Sequence, residues 1–259
     1  MNILMSVLEN LSLKGKNAIV TGGGSGIGRA TALMLAEAGA SVAVCDIDYK
    51  KADKVRYEIE DMGGNALAIM CDVSNSIACE ETVNIIAKEF KTIDILVNNV
   101  GGGGGGREYF EELSDEYIEK IYNLNLFSIF RIVKLCLPYM PKNDTSSIVN
   151  VSSMSSIINS KDMSVYATTK AAVAKLTRSM SVDLAPIRVN CVMPGAIKTP
   201  ALESVLNSDI EKEMLKSTPL KRLGEPEDIA SAIFFFVSPL ANWVSGQSLM
   251  INGGGVQDL

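Results

Sequence analysis

The sequence contains no histidine among its 259 residues. This absence excludes histidine-based catalytic triads and most transition-metal sites, since imidazole is the commonest protein ligand for such ions. Cysteine is also sparse, and we expect no metal site. Acid–base chemistry must then come from tyrosine, lysine, aspartate, glutamate or cysteine. The five cysteines stand without a C-x-x-C pair, which argues against a zinc site or a disulfide framework and predicts buried, reduced thiols at Cys45, Cys71, Cys79, Cys136 and Cys191.

Positive charge and long apolar runs are scarce as well. The net charge is −6 and no stripe of lysine and arginine exists to neutralise phosphates, so we expect no nucleic-acid partner. No apolar stretch is predicted to reach membrane-spanning length. The start, MNILMSVLENLSLKGK, lacks a basic leader and a small-residue cleavage site, which predicts a surface arm over residues 1–12 rather than a signal peptide. We therefore expect a cytoplasmic protein without a membrane partner.

The remaining sequence alternates short β-rich apolar runs with longer segments of helical periodicity. A hydrophobic fraction of 47% supports a full core. Such alternation predicts an α/β fold, a single doubly wound Rossmann domain over residues 13–259 with a seven-stranded parallel sheet and helices on both faces. The predicted strands, each buried on both faces, are 17–22, 41–46, 66–73, 94–99, 147–153, 187–195 and 248–253, and the predicted helices include 26–38, 49–62, 75–90, 114–138 and 163–184.

The first predicted strand runs into the glycine-rich stretch TGGGSGIG, residues 21–28. Its glycines allow a tight turn, the close approach of a pyrophosphate and tight helix packing, while the following helix offers free N–H groups and a positive dipole end. The position of this stretch between a strand and a helix indicates a dinucleotide site. The candidate cofactor-binding residues here are Thr21, Gly22, Ser25, Gly26, Ile27 and Gly28.

Asp46, at the end of the second strand, indicates which dinucleotide is bound. A carboxylate there accepts hydrogen bonds from the 2′-hydroxyl of the adenosine ribose and repels a 2′-phosphate. Ser25 and Ile47 stand where a basic residue would be needed to hold that phosphate, so we expect NAD rather than NADP. The alternative for Asp46 is an acid in an ordinary surface turn. Asp72 and Val73 follow the third strand, where Asp72 is placed to reach the adenine amino group, although aspartate is also a common turn residue.

Tyr166 and Lys170 form the segment YATTK at the start of a predicted helix, and their spacing places both on one helix face. A free tyrosine has a pKa of about 10, and a nearby ammonium favours its phenolate. The pair is therefore a candidate acid–base couple. The alternative is a packed tyrosine with a lysine that extends past it to solvent.

The run NNVGGGGGGRE, residues 98–108, contains six consecutive glycines. A flexible linker is one interpretation. Because the run follows the fourth strand at the carboxyl edge of the predicted sheet, we favour a loop whose backbone lies close to a ligand. The number of glycines exceeds what the approach of a cofactor requires.

Together these motifs resemble the short-chain dehydrogenase/reductase family over nearly everything after residue 12. The resemblance rests on TGGGSGIG, NNVG at 98–101, NLN at 123–125, SS at 152–153, YATTK, and PGAIKTP at 194–200. It implies that Tyr166 is the general acid/base, that Lys170 tunes it and holds the nicotinamide ribose, and that Ser153 orients the substrate oxygen, with Ser152 as its nearest rival. Asn125 would hold a water that links Lys170 to solvent.

The same resemblance implies further cofactor contacts and an oligomer. Val100 departs from the family pattern, which usually has alanine there, but this change removes no reactive group. A homotetramer is implied, with NAD as cofactor and no metal. The remaining candidate cofactor-binding residues are Asn98, Gly101, Pro194, Gly195, Ile197 and Thr199.

Within the family, several segments resemble the bacterial 7α-hydroxysteroid dehydrogenases, among them PGAIKTPALESVL, EMLKSTPLKRLGEPEDIA and SPLANWVSGQ. This implies a secondary alcohol of the steroid type as substrate, under a lid at about residues 198–220. The alternatives are a 3-oxoacyl-acyl-carrier-protein reductase, which usually prefers NADP and needs a basic docking patch, and a non-catalytic nucleotide-binding regulator. The lid has an apolar face suited to a sterol or, alternatively, to packing on the domain, formed by Leu202, Val205, Leu206, Ile210, Met214 and Leu215.

Overall fold

The structure, a computed structural model, describes residues 11–103, 109–159 and 161–255, in which strands and helices alternate. The strands are β1 (Asn17–Thr21), β2 (Ser41–Asp46), β3 (Asn65–Met70), β4 (Ile95–Asn98), β5 (Ser147–Val151), β6 (Arg188–Pro194) and β7 (Ser248–Ile251). The helices are α1 (Gly26–Glu37), α2 (Tyr49–Asp61), α3 (Ser76–Phe90), α4 (Asp115–Tyr122), α5 (Ser128–Cys136), α6 (Ser164–Asp183), α7 (Pro200–Glu203), α8 (Ser208–Lys216) and α9 (Pro226–Val237).

The seven strands form one parallel sheet in the order β3-β2-β1-β4-β5-β6-β7. The predicted doubly wound α/β fold is confirmed. The chain reverses its direction across the sheet between β1 and β4, which are neighbours although two strands separate them in sequence. In such sheets, ligands bind beyond the carboxyl ends of the strands at this reversal. The β1–α1 loop and the glycine run after β4 both lie there.

Apolar side chains pack on both faces of the sheet. In β1, Ala18 and Val20 belong to one buried cluster and Ile19 belongs to the other. All residues of β4, β5 and β6 are buried. The prediction that every strand is buried on both faces is wrong for β3 and β7, which retain exposed or half-buried positions because they are the two edges of the sheet. The five cysteines are free and buried, as predicted.

Two helical features were not predicted. Helix α9 was absent from the sequence prediction, and it packs against α1 on one face of the sheet. The predicted helix 114–138 is interrupted by a π turn over Asn123–Phe127, which lies between α4 and α5. Capping by Ser114, whose hydroxyl accepts a hydrogen bond from the Tyr117 N–H, starts α4.

The helical run Asp115–Tyr139 is long and apolar enough to cross a membrane by length and composition alone, with a mean hydropathy of 1.2. The run is not one continuous apolar stretch, because six charged residues interrupt it: Asp115, Glu116, Glu119, Lys120, Arg131 and Lys134. The run lies against the sheet and buries Ile129, Ile132 and Val133 in the core. Other apolar side chains of the run, including Phe127 and Phe130, are exposed.

Candidate active site

The β1–α1 loop is held so closely that its glycines cannot carry side chains. Gly22 and Gly26 have φ angles of 62° and 50°, in the left-handed region that favours glycine. A Cβ added to Gly28 would overlap the carbonyl oxygen of Gly22 and would lie 2.6 Å from Asn99 Nδ2. Helix α1 therefore begins directly under the loop, and a ligand can approach the backbone of both.

The N-terminus of α1 is open. Ser25 occupies the N-cap position, but its side chain makes no capping hydrogen bond. By contrast, α2 and α3 are capped by the side chains of Asp48 and Asn75, which accept backbone N–H groups of the first turn. The first turn of α1 also contains no acidic residue. Its N–H groups and its positive dipole end thus remain available to an anion such as a pyrophosphate.

Asp46 is fixed at the end of β2 beside this loop. Its Oδ2 accepts a hydrogen bond from the Gly24 N–H at 2.9 Å and its Oδ1 accepts one from the Asp48 N–H at 3.0 Å. The carboxylate is 9% exposed, whereas the next residue, Ile47, is 68% exposed. Asp46 is therefore a positioned acceptor at the mouth of the cleft, as a ribose hydroxyl would require.

Asp72 and Val73 lie beyond β3, which ends at Met70 rather than at residue 73 as predicted. One Asp72 carboxylate oxygen, Oδ1, accepts hydrogen bonds from the backbone and the hydroxyl of Ser74, at 2.9 and 2.6 Å. Val73 is buried, and its carbonyl accepts a hydrogen bond from Arg131 at 3.4 Å. These bonds shape a turn at the carboxyl edge of the sheet and use Oδ1 of Asp72. The adenine contact of Asp72 stays a prediction.

Ser153 and Tyr166 meet at the carboxyl end of β5. Burial raises the pKa of Tyr166 above the usual tyrosine value, and the nearby Ser153 side chain lowers it by less. The Ser153 hydroxyl also accepts the Ser155 N–H at 3.1 Å. Ser152, the rival candidate, is buried and donates its hydroxyl to the Lys170 carbonyl at 2.7 Å. Ser153 is thus the serine placed to share a substrate oxygen with Tyr166.

Lys170 lies on the inner face of α6 and is 3% exposed. Its Nζ donates to the carbonyl of Val151 at 2.9 Å and lies 5.7 Å from the centroid of the Tyr166 ring. Burial lowers the pKa of Lys170 to about 8. The pairing expected from the i, i+4 spacing is present as proximity, yet the ammonium bonds to the backbone rather than to the phenol.

Asn125 lies in the π turn and is fully buried. Its Oδ1 accepts a hydrogen bond from the Gly102 N–H at 2.9 Å, while its Nδ2 donates to the Gly102 carbonyl at 3.0 Å and to Thr169 Oγ1 at 2.9 Å. The side-chain amide therefore binds both backbone groups of Gly102, as a neighbouring strand would. The predicted proton relay through a water stays a prediction.

The first part of the glycine run lies against α6, the helix that contains Tyr166 and Lys170. A Cβ added to Gly101 would overlap Lys170 Nζ, and one added to Gly103 would lie 3.2 Å from Tyr166 atoms. The linker interpretation is therefore wrong for Gly101–Gly103, because Gly101 and Gly103 lie against α6 and both backbone groups of Gly102 are bonded to Asn125. Residues 104–106, the second half of the run, lie outside the described residues.

Two asparagines at the end of β4 have different partners. Asn98 is buried and donates to Asn150 at 2.8 Å, beneath the cleft. Asn99, which the sequence analysis did not select, donates to the carbonyls of Thr21 and Gly22 at 3.1 Å each. Asn99 is thus the residue that ties the β1–α1 loop to β4.

The segment from Pro194 to Thr199 closes the opposite side of the cleft. Gly195 leaves no room for a side chain, since an added Cβ would lie 2.9 Å from the Asn252 backbone. Ile197 is buried and pairs with Gly224 in a short bridge. The Thr199 side chain lies 3.1 Å from the position that a Cβ on Gly26 would take, so this segment reaches the glycine loop.

Helices α7 and α8 occupy the segment predicted to form the lid, and they contain no buried residue. Val205 is 51% and Ile210 37% exposed. The other four predicted apolar lid residues, Leu202, Leu206, Met214 and Leu215, are half-buried, so the segment both packs on the domain and keeps part of its apolar face accessible. Within the described ranges, no group of three or more potential metal-binding side chains occurs.

Comparison with known proteins agrees with this geometry. A family profile described as enoyl-(acyl carrier protein) reductase matches residues 22–255. The 7α-hydroxysteroid dehydrogenase of Escherichia coli (strain K12) is 44% identical over 253 residues, which cover 97% of this chain and 98% of that protein. The 3-oxoacyl-[acyl-carrier-protein] reductase of Thermotoga maritima is 35% identical and covers 94% of this chain and 99% of its own length.

Solved structures show the same likeness in three dimensions. A 7α-hydroxysteroid dehydrogenase complexed with NADH and 7-oxo glycochenodeoxycholic acid has a TM-score of 0.93 and 44% identity, covering 98% of this chain and 100% of its own. A short-chain type dehydrogenase/reductase from Mycobacterium marinum has a TM-score of 0.89 and 34% identity, covering 96% of this chain and 99% of its own. As the sequence motifs predicted, the chain belongs to the short-chain dehydrogenase/reductase family of oxidoreductases.

Proposed function

We propose that this protein transfers a hydride between NAD and the 7α-hydroxyl carbon of a bile-acid-type steroid. The observation that carries the proposal is the 44% identity with a 7α-hydroxysteroid dehydrogenase over nearly the full length of both chains. The matching structure holds NADH and a 7-oxo bile acid. The open apolar lid and the Ser153–Tyr166 pair supply the local geometry for such a substrate.

The cleft fits a dinucleotide. Gly28 lets α1 pack directly against the Gly22 carbonyl, which fixes the loop above the helix, and the N-terminus of α1 is free to bind a pyrophosphate. Asp46 presents a carboxylate that two backbone N–H groups hold in place, and it would accept the ribose hydroxyls. NAD, when bound, supplies the hydride acceptor. We expect at least about tenfold higher kcat/KM with NAD than with NADP, because Asp46 would repel the 2′-phosphate.

Tyr166 is the proposed acid/base. In the oxidative direction its phenolate takes the proton of the substrate hydroxyl, and in the reductive direction its O–H returns that proton to the carbonyl oxygen. Ser153 holds the same oxygen through its hydroxyl. Burial alone raises the pKa of Tyr166, so phenolate formation depends on positive charge near the ring, which Lys170 provides from 5.7 Å. Asn125 keeps Gly102 in place through two hydrogen bonds and so sets the wall facing Tyr166.

The steroid nucleus would lie under the lid. The side chains of Ile210 and Met214 remain accessible on α8, and no residue of that helix is buried against the domain. Apolar side chains held in this way gain free energy when a flat hydrocarbon surface covers them. The lid therefore suits a sterol better than a small polar alcohol.

The direct test is a steroid panel with purified protein and either nucleotide. We expect cholic acid and NAD to yield NADH and a 7-oxo product. Two steroids are the matched controls and should remain unchanged. Deoxycholic acid has no hydroxyl at position 7, and ursodeoxycholic acid has a 7β-hydroxyl in place of the 7α-hydroxyl. Turnover of a 3-oxoacyl thioester with NADPH, together with no reaction of any 7α-hydroxy bile acid, would replace the steroid assignment with the reductase alternative.

A homotetramer and a cytoplasmic location complete the proposal. Five buried free cysteines suit a reducing compartment.

Closed symmetric assembly would cover two sets of exposed apolar side chains. Light scattering at micromolar concentration that shows monomer alone would contradict the homotetramer. One set, on the π turn, α5 and α6, is Phe127, Phe130 and Val182; the other, on α9, β7 and the segment between them, is Phe235, Leu240, Trp243, Leu249 and Met250.

A further inference from the structure

Lys51, in the first turn of α2, lies against the glycine loop beside Asp46. A Cβ added to Gly24 would lie 2.7 Å from Lys51 Cβ and 2.8 Å from Asp46 Oδ2. The stem of the lysine and the carboxylate therefore meet at one point of the loop. Lys51 is thus a basic residue near Asp46, whereas positions 25 and 47 carry none.

The ammonium of Lys51 is only weakly engaged elsewhere. Its Nζ lies 3.8 Å from Oδ2 of Asp48, the N-cap residue of the same helix, and the two side chains are 59% and 43% exposed. An exposed pair at this distance contributes little and exchanges with water. The flexible four-carbon stem lets the ammonium move across Gly24 toward the space in front of Asp46.

That space is where a 2′-phosphate would lie, since Asp46 is placed to accept the 2′-hydroxyl of the adenosine ribose. A lysine ammonium binds phosphate as a compact point charge. We propose that Lys51 is a specificity-determining residue: it binds the 2′-phosphate of NADP and offsets part of the repulsion from Asp46. The preference for NAD is then set by two opposed charges, and the protein retains measurable affinity for the phosphorylated nucleotide. This inference rests on the proposed dinucleotide site.

Calorimetric titration with nucleotide fragments tests the inference without turnover. The probes are adenosine 5′-monophosphate and adenosine 2′,5′-bisphosphate, which differ only in the 2′-phosphate. We expect Lys51→Ala to weaken bisphosphate binding by about fivefold or more and to leave monophosphate binding within about twofold. Lys50→Ala is the matched control, because it removes the same charge one residue earlier, from a different side of the helix, and it should change neither affinity by more than about twofold.

A double-mutant cycle sharpens the test. Asp46→Asn keeps a side-chain acceptor for the loop and removes the negative charge, so we expect bisphosphate affinity to rise by about tenfold or more. Adding Lys51→Ala should remove most of that gain, and adding Lys50→Ala should not. Thermal unfolding of each variant checks that the exposed lysine changes leave the fold intact.

The outcomes separate the inference from the proposal beneath it. Equal effects of Lys51→Ala and Lys50→Ala on bisphosphate binding would overturn the role of Lys51 and leave the dinucleotide site standing. Wild-type protein that binds neither nucleotide fragment nor NADH would overturn both. Higher salt should weaken binding of the bisphosphate more than binding of the monophosphate, because salt screens the attraction between the exposed Lys51 ammonium and the 2′-phosphate.

Discussion

The two walls of the cleft are built in opposite ways. On one side, the β1–α1 loop and the glycine run pack so tightly that added Cβ atoms would overlap Gly22 and Lys170. On the other, α7 and α8 bury no residue at all. The first wall has one arrangement of its backbone, whereas the second can adjust to what it covers.

This difference follows from the ligands that each wall is proposed to hold. A nucleotide presents the same phosphates and ribose in every turnover, so backbone groups in fixed positions bind it well. A steroid presents a broad apolar surface. The free energy gained by burying that surface depends on the area covered and not on the orientation of individual groups. Substitutions in the first wall should therefore alter folding or the chemical step, and those in the lid should alter substrate affinity alone.

The largest effect is expected for Tyr166→Phe. The variant keeps the ring that packs against Gly103 and removes only the proton carrier, so turnover should fall by about 10² to 10⁴-fold while NADH binding stays within about twofold. Steady-state kinetics and fluorescence titration of NADH measure the two quantities. Tyr122→Phe is the control. It deletes another tyrosine hydroxyl, which donates a hydrogen bond to Thr168 of α6, the helix that also contains Tyr166. A Tyr166→Phe protein with near-normal turnover would contradict the mechanism.

Gly28→Ala should be the most destabilising change in the tight wall. Its Cβ would overlap the Gly22 carbonyl, and overpacking against backbone costs roughly 3 kcal/mol of unfolding free energy. Urea unfolding gives the value. Gly63→Ala is the comparison, since Gly63 has a φ of 81° but open space around it, so strain alone should cost about 1 kcal/mol there. Equal losses at the two positions would mean that the overlap relaxes.

Lys170→Met should stabilise the protein at neutral pH while removing activity. Burial lowers the pKa of Lys170 to about 8 in the folded state, below the usual lysine value, so at pH 7 folding forces a charge into a buried site. The unfolded chain binds the extra proton between pH 8 and about 10.5, and wild-type stability should therefore rise with pH across that window. We expect the unfolding free energy of Lys170→Met to exceed that of the wild type by about 1 to 2 kcal/mol at pH 7, after the loss of the hydrogen bond to Val151 is included.

Urea unfolding at pH 7, 8 and 9 checks this prediction. The difference in unfolding free energy between variant and wild type should shrink as pH rises, because the buried Lys170 of the wild type loses its charge. The variant has no charge at this position at any pH. Measurements should stay below pH 10, since the raised pKa of Tyr166 makes the folded state lose stability above that value, where the unfolded tyrosine ionises. A gain that stays constant from pH 7 to 9 would rule out buried charge as its cause.

The smallest effect belongs to the lid. Ile210→Ser should raise KM for the steroid by about fivefold, because it removes apolar area that the substrate would cover, and should change unfolding free energy by less than about 0.5 kcal/mol. KM for NAD should be unchanged. Lys212→Ser is the control on the same helix, because its exposed ammonium lies 3.8 Å from Asp209 and it presents no apolar branch to the steroid. A large loss of stability in Ile210→Ser would show that the lid packs tightly in solution.

The sequence predicted the strands and the sheet because their signal is local. Runs such as 41–46 are apolar, β-branched and bounded by turn residues, and β2 has these bounds. The edges were misjudged, since β3 and β7 resemble central strands in composition and only their place in the sheet exposes them. Helix α9 was overlooked although Pro226 and the acidic first turn signal its start.

Within the site, the sequence could predict residue types but not their partners. The spacing of Tyr166 and Lys170 predicted proximity, yet the bond from Lys170 to Val151 depends on how α6 packs on β5. Asn99 and Lys51 escaped notice because each acts on a loop distant in sequence from itself. A π turn has no comparable local signature, so the pairing of Asn125 with Gly102 appears only in the folded chain.

The π turn has a consequence for how this chain can change by insertion and deletion. Such a turn holds one residue more than regular α-helix would over the same rise. Deletion of a single residue within Asn123–Phe127 would convert α4 and α5 into one continuous helix with a complete i→i−4 ladder. The same deletion would rotate Asn125 by about 100° relative to one of its flanks and withdraw its amide from Gly102. The irregular helix is therefore a case in which the better-formed secondary structure would lose the contact between Asn125 and Gly102.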